Sequence, residues 1–247
     1  IFALPELAAG TVASLFAVND ADGVGLIALL EGDTTARIAA GESMVRVIHL
    51  APAAPAVDVF ANGNETAAVS ALEFGASSDF IAVPSAGYDF QVSVSGDSAA
   101  DAVLSLNGNL LLPGHYYTAV AFDNGEGLDS MVIVDDAASL EEGNLRVRAI
   151  HTAAGVGEVD IWNITEGAEP GILWENVPLS AAGQYYDLPA AAYSVGFDVD
   201  DDASPDVSFD LPGLPAGTVA NVFAVNDGAV KLIAQLWDGT TAEILAQ

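Results

Sequence analysis

The chain has 247 residues, 52% of them hydrophobic, with 24 glycines, 11 prolines and no cysteine. Five basic residues face 35 acidic ones, a formal charge of −30 at pH 7. That balance repels nucleic-acid phosphates and anionic lipid, and the missing thiols exclude disulfide frameworks and thiolate metal centres.

In chain order, residues 1–42 hold three strand-like stretches, around Phe2–Leu4, Thr11–Val18 and Val24–Leu30. Residues 43–142 follow with "VRVIHL", "AVDVFA", "DFQVSV", "YYTAVAF" and "SMVIV", apolar or alternating runs separated by turn clusters such as "NGN", "SGD" and "DNGEG". Residues 143–247 repeat the pattern: "VRVIHLAPAAPAVDVF" from Val45 matches "VRAIHTAAGVGEVDIW" from Val147. Arg46 aligns with Arg148, His49 with His151 and Asp58 with Asp160. The opening "LPELAAGTVASLFAVND" from Leu4 matches "LPGLPAGTVANVFAVND" from Leu211 at 13 of 17 positions, so residues 1–42 correspond to the closing part of a repeat. The chain reads as a partial β module (1–42) and two complete ones (43–142 and 143–247), with short linkers that predict end-to-end packing. About seven short strands in about 100 residues predict an all-β protein of tandem immunoglobulin-like β-sandwiches.

The stretch "VRVIHLAPAAPAVDVFANG", with its histidine, its prolines and its Val-Asp-Val strand, resembles the family catalogued as domain of unknown function 4397. The resemblance is weaker in the second module, where "AAGVGE" replaces the proline-containing loop. It implies a secreted or cell-surface β-sandwich, often in tandem, and brings no established catalytic residues. No run of about 18 apolar residues marks a membrane span. No basic-then-apolar leader opens the chain, so any signal peptide is expected to have been removed or omitted; the extracellular or cell-surface location is what the resemblance implies.

A lone three-stranded fragment leaves an apolar face and open edges. It could continue a longer precursor, be completed by a neighbouring subunit through Leu4, Val12, Leu15, Phe16, Val18, Ile27 and Leu29, or pack on the first full module. The second option leads to an expected role as a structural subunit of an extracellular filament, a homopolymer whose partners are copies of itself. The alternative is a monomeric surface adhesin or carbohydrate-binding protein with glycans as partners.

Two sequons, at Asn64 and Asn163, follow equivalent strands and are glycosylation candidates. Calcium is a possible cofactor, none being required, with Asp198, Asp200, Asp201, Asp202 and Asp206 in "DVDDDASPD" as the densest oxygen set. "NDADG" (19–23) and "DNGEGLD" (123–129) are lesser candidates, and Asp and Asn favour turns for backbone reasons alone. His49, His115 and His151 lack converging partners and read as local hydrogen-bonding residues, with Asp58 or Asp160 as neighbours. No nucleophile elbow or phosphate loop occurs, so no enzyme is expected and no catalytic residue is nominated. Trp162, Trp174, Trp237, Tyr116, Tyr117, Tyr185 and Tyr186 could form a sugar platform or fill the cores.

Overall fold

The computed structural model describes residues 12–20, 23–30, 34–39 and 41–247; Leu4, named above for assembly, lies outside them. Ala13–Asp20 (β1), Gly23–Leu30 (β2) and Thr34–Ala39 (β3) form an antiparallel meander.

The first complete module contains Glu42–Leu50 (β4), Val57–Ala61 (β5), Val69–Leu72 (β6), Ile81–Pro84 (β7), Gly87–Val94 (β8), Leu104–Leu110 (β9), Tyr116–Asp123 (β10) and Leu128–Asp135 (β11). They make two four-stranded sheets, in the orders β11-β10-β4-β7 and β6-β5-β8-β9, with β4 parallel to β10. The second module repeats this with Asn144–His151 (β12), Val159–Asn163 (β13), Gly171–Val177 (β14), Ala181–Ala182 (β15), Tyr186–Pro189 (β16), Tyr193–Asp198 (β17), Val207–Leu211 (β18), Val219–Asn226 (β19) and Val230–Leu236 (β20). Thr241–Leu245 (β21) extends its first sheet, in which β15 and β16 both pair with β12, and β14-β13-β17-β18 is the second sheet. The fold is an all-β array of sandwiches. Its arrangement departs from the seven-stranded immunoglobulin order: the first strand sits inside a sheet, beside the seventh, and eight strands complete the first module.

Strand patterning explains the core. In β4, Val45 and Val47 point into the first sandwich, where they meet Val57, Val59, Phe90 and Tyr117. The alternate residues Ile48 and Leu50 are just as buried, because β4 is covered on its other side too. There Ile48, Leu50, Val120 and Phe122 pack against Ile150, Phe223, Val225 and Ile233 of the second module. The modules thus dock sheet face to sheet face and not end to end. This is why these strands read as continuous apolar runs.

A buried polar network is set into this interface. Arg46 donates from Nε to Thr118 Oγ1 (2.8 Å) and from Nη1 to the Leu236 carbonyl (2.6 Å). Arg148 mirrors it, donating to Asn221 Oδ1 (2.8 Å) and the Val134 carbonyl (3.1 Å). Both guanidiniums reach Asp135, at 3.4 Å from Arg46 and 2.9 Å from Arg148. Each also lies over an aromatic ring: Arg46 is 4.4 Å from the Phe80 centroid and Arg148 is 4.3 Å from that of Tyr185. Burial lowers the Arg46 pKa despite the nearby carboxylate, and it raises that of the Tyr185 phenol.

Candidate functional site

Because the two modules share a frame, each is a control for the other. Cross-strand registers fix the correspondence: Val59 faces Val69 in the first module, and Ile161 faces Trp174 in the second. Likewise Asp58 faces Ser93, and Asp160 faces Asp198.

Some features are common to both. His49 Nδ1 accepts the Ala51 N–H and its Nε2 lies 3.1 Å from the Pro55 carbonyl, while His151 does the same with Ala153 and Gly157. An acceptor at Nδ1 leaves the proton on Nε2, so both rings are neutral, and burial lowers both pKa values. Their partners are backbone groups of the first crossover loop, not Asp58 or Asp160 as expected. Asp58 instead clamps the backbone N–H groups of Gly96 and Ala71, which hold its carboxyl below the usual range.

Other features belong to the second module alone. Where Val69 stands in β6, β14 carries Trp174, whose Nε1 donates to the Gln184 carbonyl at 2.8 Å. The large ring requires a small neighbour: a Cβ on Gly183 would lie 2.2 Å from Trp174 Cδ1, and Gly183 occupies the place of Ser78. Tyr186 packs edge-on to the indole at a centroid distance of 5.2 Å and accepts from Gln184 Nε2 at 2.7 Å. These groups line an open groove of about 530 Å³ between the edges of β14 and β15–β16, with Glu175, Asn176 and Gln184 exposed at its rim. The groove offers an aromatic floor with a phenol whose own proton remains to be donated, and carboxylate and amide groups above it. Asn176 also borders an adjoining acidic cavity of about 280 Å³, lined by Glu158, Asp160, Asp198, Asp200 and Asp201.

The aromatics expected as a platform divide by strand face. Trp174 is only 7% exposed and Tyr117 is core, so neither is an exposed platform ring. Tyr116 and Trp237 cluster with Phe80 beside Arg46, and Tyr185 covers Arg148, so they serve the module interface. Trp162 is half-buried.

Of the sequons, Asn64 sits in an exposed turn after β5, whereas Asn163 is half-buried at the end of β13, its Oδ1 accepting from Thr165 Oγ1 at 2.6 Å. The sites are therefore not equivalent: Asn163 takes the place of Ala61. Carboxylates of Asp198, Asp200 and Asp206 converge within 4.8 Å, with Asp201 at the cavity wall and Asp202 exposed. The turn 123–129 is instead satisfied by itself, Asp123 and Asn124 accepting from the N–H groups of Gly125, Glu126 and Gly127. Only Asn19, Asp20 and Gly23 of the 19–23 stretch lie among the described residues. On the N-terminal meander, Val12, Leu15, Phe16 and Leu29 are exposed and Val18 and Ile27 half-buried.

Sequence comparison assigns the family. The family described as "Domain of unknown function (DUF4397)" matches residues 3–60 and 43–162. The chain belongs to the DUF4397 family. No curated protein matches it in sequence. Two solved structures are similar over 76% of the chain: a streptococcal virulence factor that binds α-glucan, at 13% identity over 95% of that chain, and the pneumococcal multi-modular glycogen-degrading virulence factor SpuA, at 14% identity over 21% of that chain. Both give a TM-score of 0.25, at which neither informs ligand or activity. Among the described residues, no helix of this DUF4397 chain is long and apolar enough to cross a membrane.

Proposed function

We propose that this DUF4397 protein is a non-enzymatic binding protein displayed outside the cell, whose second module takes a carbohydrate in the groove between β14 and β15–β16. The observation that supports this most is the half-buried Tyr186 ring, backed by the buried Trp174, in a groove with Glu175, Asn176 and Gln184 at its rim. Saccharides present apolar C–H faces to aromatic rings and hydroxyls to carboxylates and amides. The first module lacks this aromatic pair, having Val69 and Ile81 in its place. A surface of charge −30 stays soluble and screened in a saline exterior.

The test is an array of linear gluco-, manno- and galacto-oligosaccharides, α- and β-linked, probed with the intact chain. Retention of at least one saccharide is expected. It should weaken about tenfold in Gln184→Ala and in Tyr186→Phe, each of which removes one polar contact. Asp79→Ala, the first-module position matching Gln184, should bind as the parent does. No retention, or retention indifferent to both groove variants, overturns the reading.

A second reading, self-association, is favoured by one observation. Ser14, Phe16, Val18, Ile27 and Leu29 occupy the same register as Asn221, Phe223, Val225, Ile233 and Gln235, the face by which the second module docks on the first. On the meander that face is open, with Phe16 52% and Leu29 37% exposed.

A further inference from the structure

The turn that joins β17 to β18 carries a charge problem that the rest of the fold does not solve. Asp160 and Asp198 face each other across β13 and β17, and both are buried. Like charges directly opposite on neighbouring strands repel. Asp160 is tied to the Asn176 N–H at 2.6 Å, and Asp198 Oδ1 accepts the Asp201 N–H at 2.9 Å. Asp198 is 2% exposed, yet its Oδ2 is buried with no hydrogen-bond partner among the described residues. A buried carboxylate oxygen left unpaired is costly and calls for a compensating charge. The ion pairs of Arg46, Arg146, Arg148 and Lys231 all lie elsewhere in the fold.

The first module shows that the frame does not require this arrangement. At the place of Asp198 it has Ser93, equally buried, whose hydroxyl is satisfied by the Ser98 carbonyl at 2.7 Å. The second module has put a carboxylate where a neutral hydroxyl suffices, and has gathered more around it. Asp200 and Asp206 bring carboxylate oxygens to within 4.8 Å of that of Asp198, and Glu158 and Asp160 wall the adjoining cavity.

We propose that this turn is a calcium site, in which Asp198, Asp200 and Asp206 supply carboxylate oxygens to a single ion. The donor set is all oxygen, which selects a hard cation over zinc or copper. Calcium accepts six to eight oxygens in irregular geometry and can draw further on turn carbonyls and water, whereas magnesium demands a near-ideal octahedron. The ion would supply the charge that Asp198 Oδ2 lacks and tie the start and end of the turn together. This site stands independently of the carbohydrate groove, although Asn176 borders both.

Calorimetric titration of the intact chain with calcium, at physiological ionic strength to screen diffuse binding to an acidic surface, tests this. One saturable site is expected, with affinity at least about tenfold weaker in Asp198→Ser and in Asp206→Asn, and unchanged in Asp97→Asn, an exposed first-module carboxylate. Asp198→Ser reproduces the first-module residue, so without calcium it should melt no lower than the parent, and calcium should raise the parent's Tm but not the variant's. Asp206→Asn changes an exposed residue and keeps the test valid should the buried replacement misfold. Absence of a saturable site, equal affinity in both turn variants and the parent, or equal affinity for magnesium overturns the proposal.

Discussion

Asp135 shows how much one residue can carry. Among the described residues it is the only carboxylate between two buried guanidiniums, and its counterpart in the second module is Trp237, which stacks with Phe80 and Tyr116 instead. Thr118 Oγ1 and Asn221 Nδ2 also donate to it, at 2.5 and 2.9 Å, so its lone pairs are fully used. Asp135→Asn keeps the shape and removes the charge, leaving Arg46 and Arg148 uncompensated in the module interface. The expected cost is about 3–5 kcal/mol, measured by urea unfolding against the parent. A loss under about 1 kcal/mol would show that the network is solvated and contributes as a surface pair does. Arg146 is a different case: its bidentate pair with Asp187 and contact with Asp136 lie near the surface, and both Asp187 and the linker can give way to solvent.

At the scale of elements, the repeat made the strands readable but not their partners. The alternation and turn clusters of "VRVIHL" and "YYTAVAF" mark β4 and β10, yet nothing in them shows that the two run parallel and adjacent. Nor did the double-sided burial of β4 announce itself as a module interface, because an apolar run is equally the mark of any central strand. The groove was half legible. Trp174 and Tyr186 stand out as aromatics, but Gly183 gains meaning only from the indole packed on it, and Gln184 only from its bond to Tyr186. Comparing the modules position by position carries the signal in each case: Val69 against Trp174, Ser78 against Gly183, Ser93 against Asp198. The matched histidines, by contrast, belong to the frame, since each fastens the loop between the first two strands of its module. Their lowered pKa values give a pH dependence of definite sign. The folded chain binds these two protons less tightly than the unfolded chain, whose histidines titrate near about 6.5. Stability is therefore fully present above that value and falls as the pH drops through it toward the lower folded values. Thermal melts between about pH 7.5 and 5 should show this decline, flattened in a His49→Gln, His151→Gln double variant. An identical slope in that variant would assign the decline to the carboxylates.

For the whole molecule, the decisive fact is how the docking faces are used. Those of the two complete modules are buried against each other, and at the β20–β21 turn a Cβ on Gly239 would lie 3.1 Å from the Ser78 carbonyl oxygen. The open face of the same kind is on the N-terminal meander, where Phe16 matches Phe223. A second copy that met this face with its own equivalent would make a two-fold contact, which closes at a dimer. A contact of that kind accords with the discrete binding protein proposed above, and a contact through other surfaces of the meander would accord with the filament. Sedimentation velocity of the intact chain over a wide concentration range tests that claim most directly. The account predicts one species at the 25.1 kDa chain mass, or at most a dimer that Phe16→Ser abolishes; a ladder of larger species growing with concentration would contradict it.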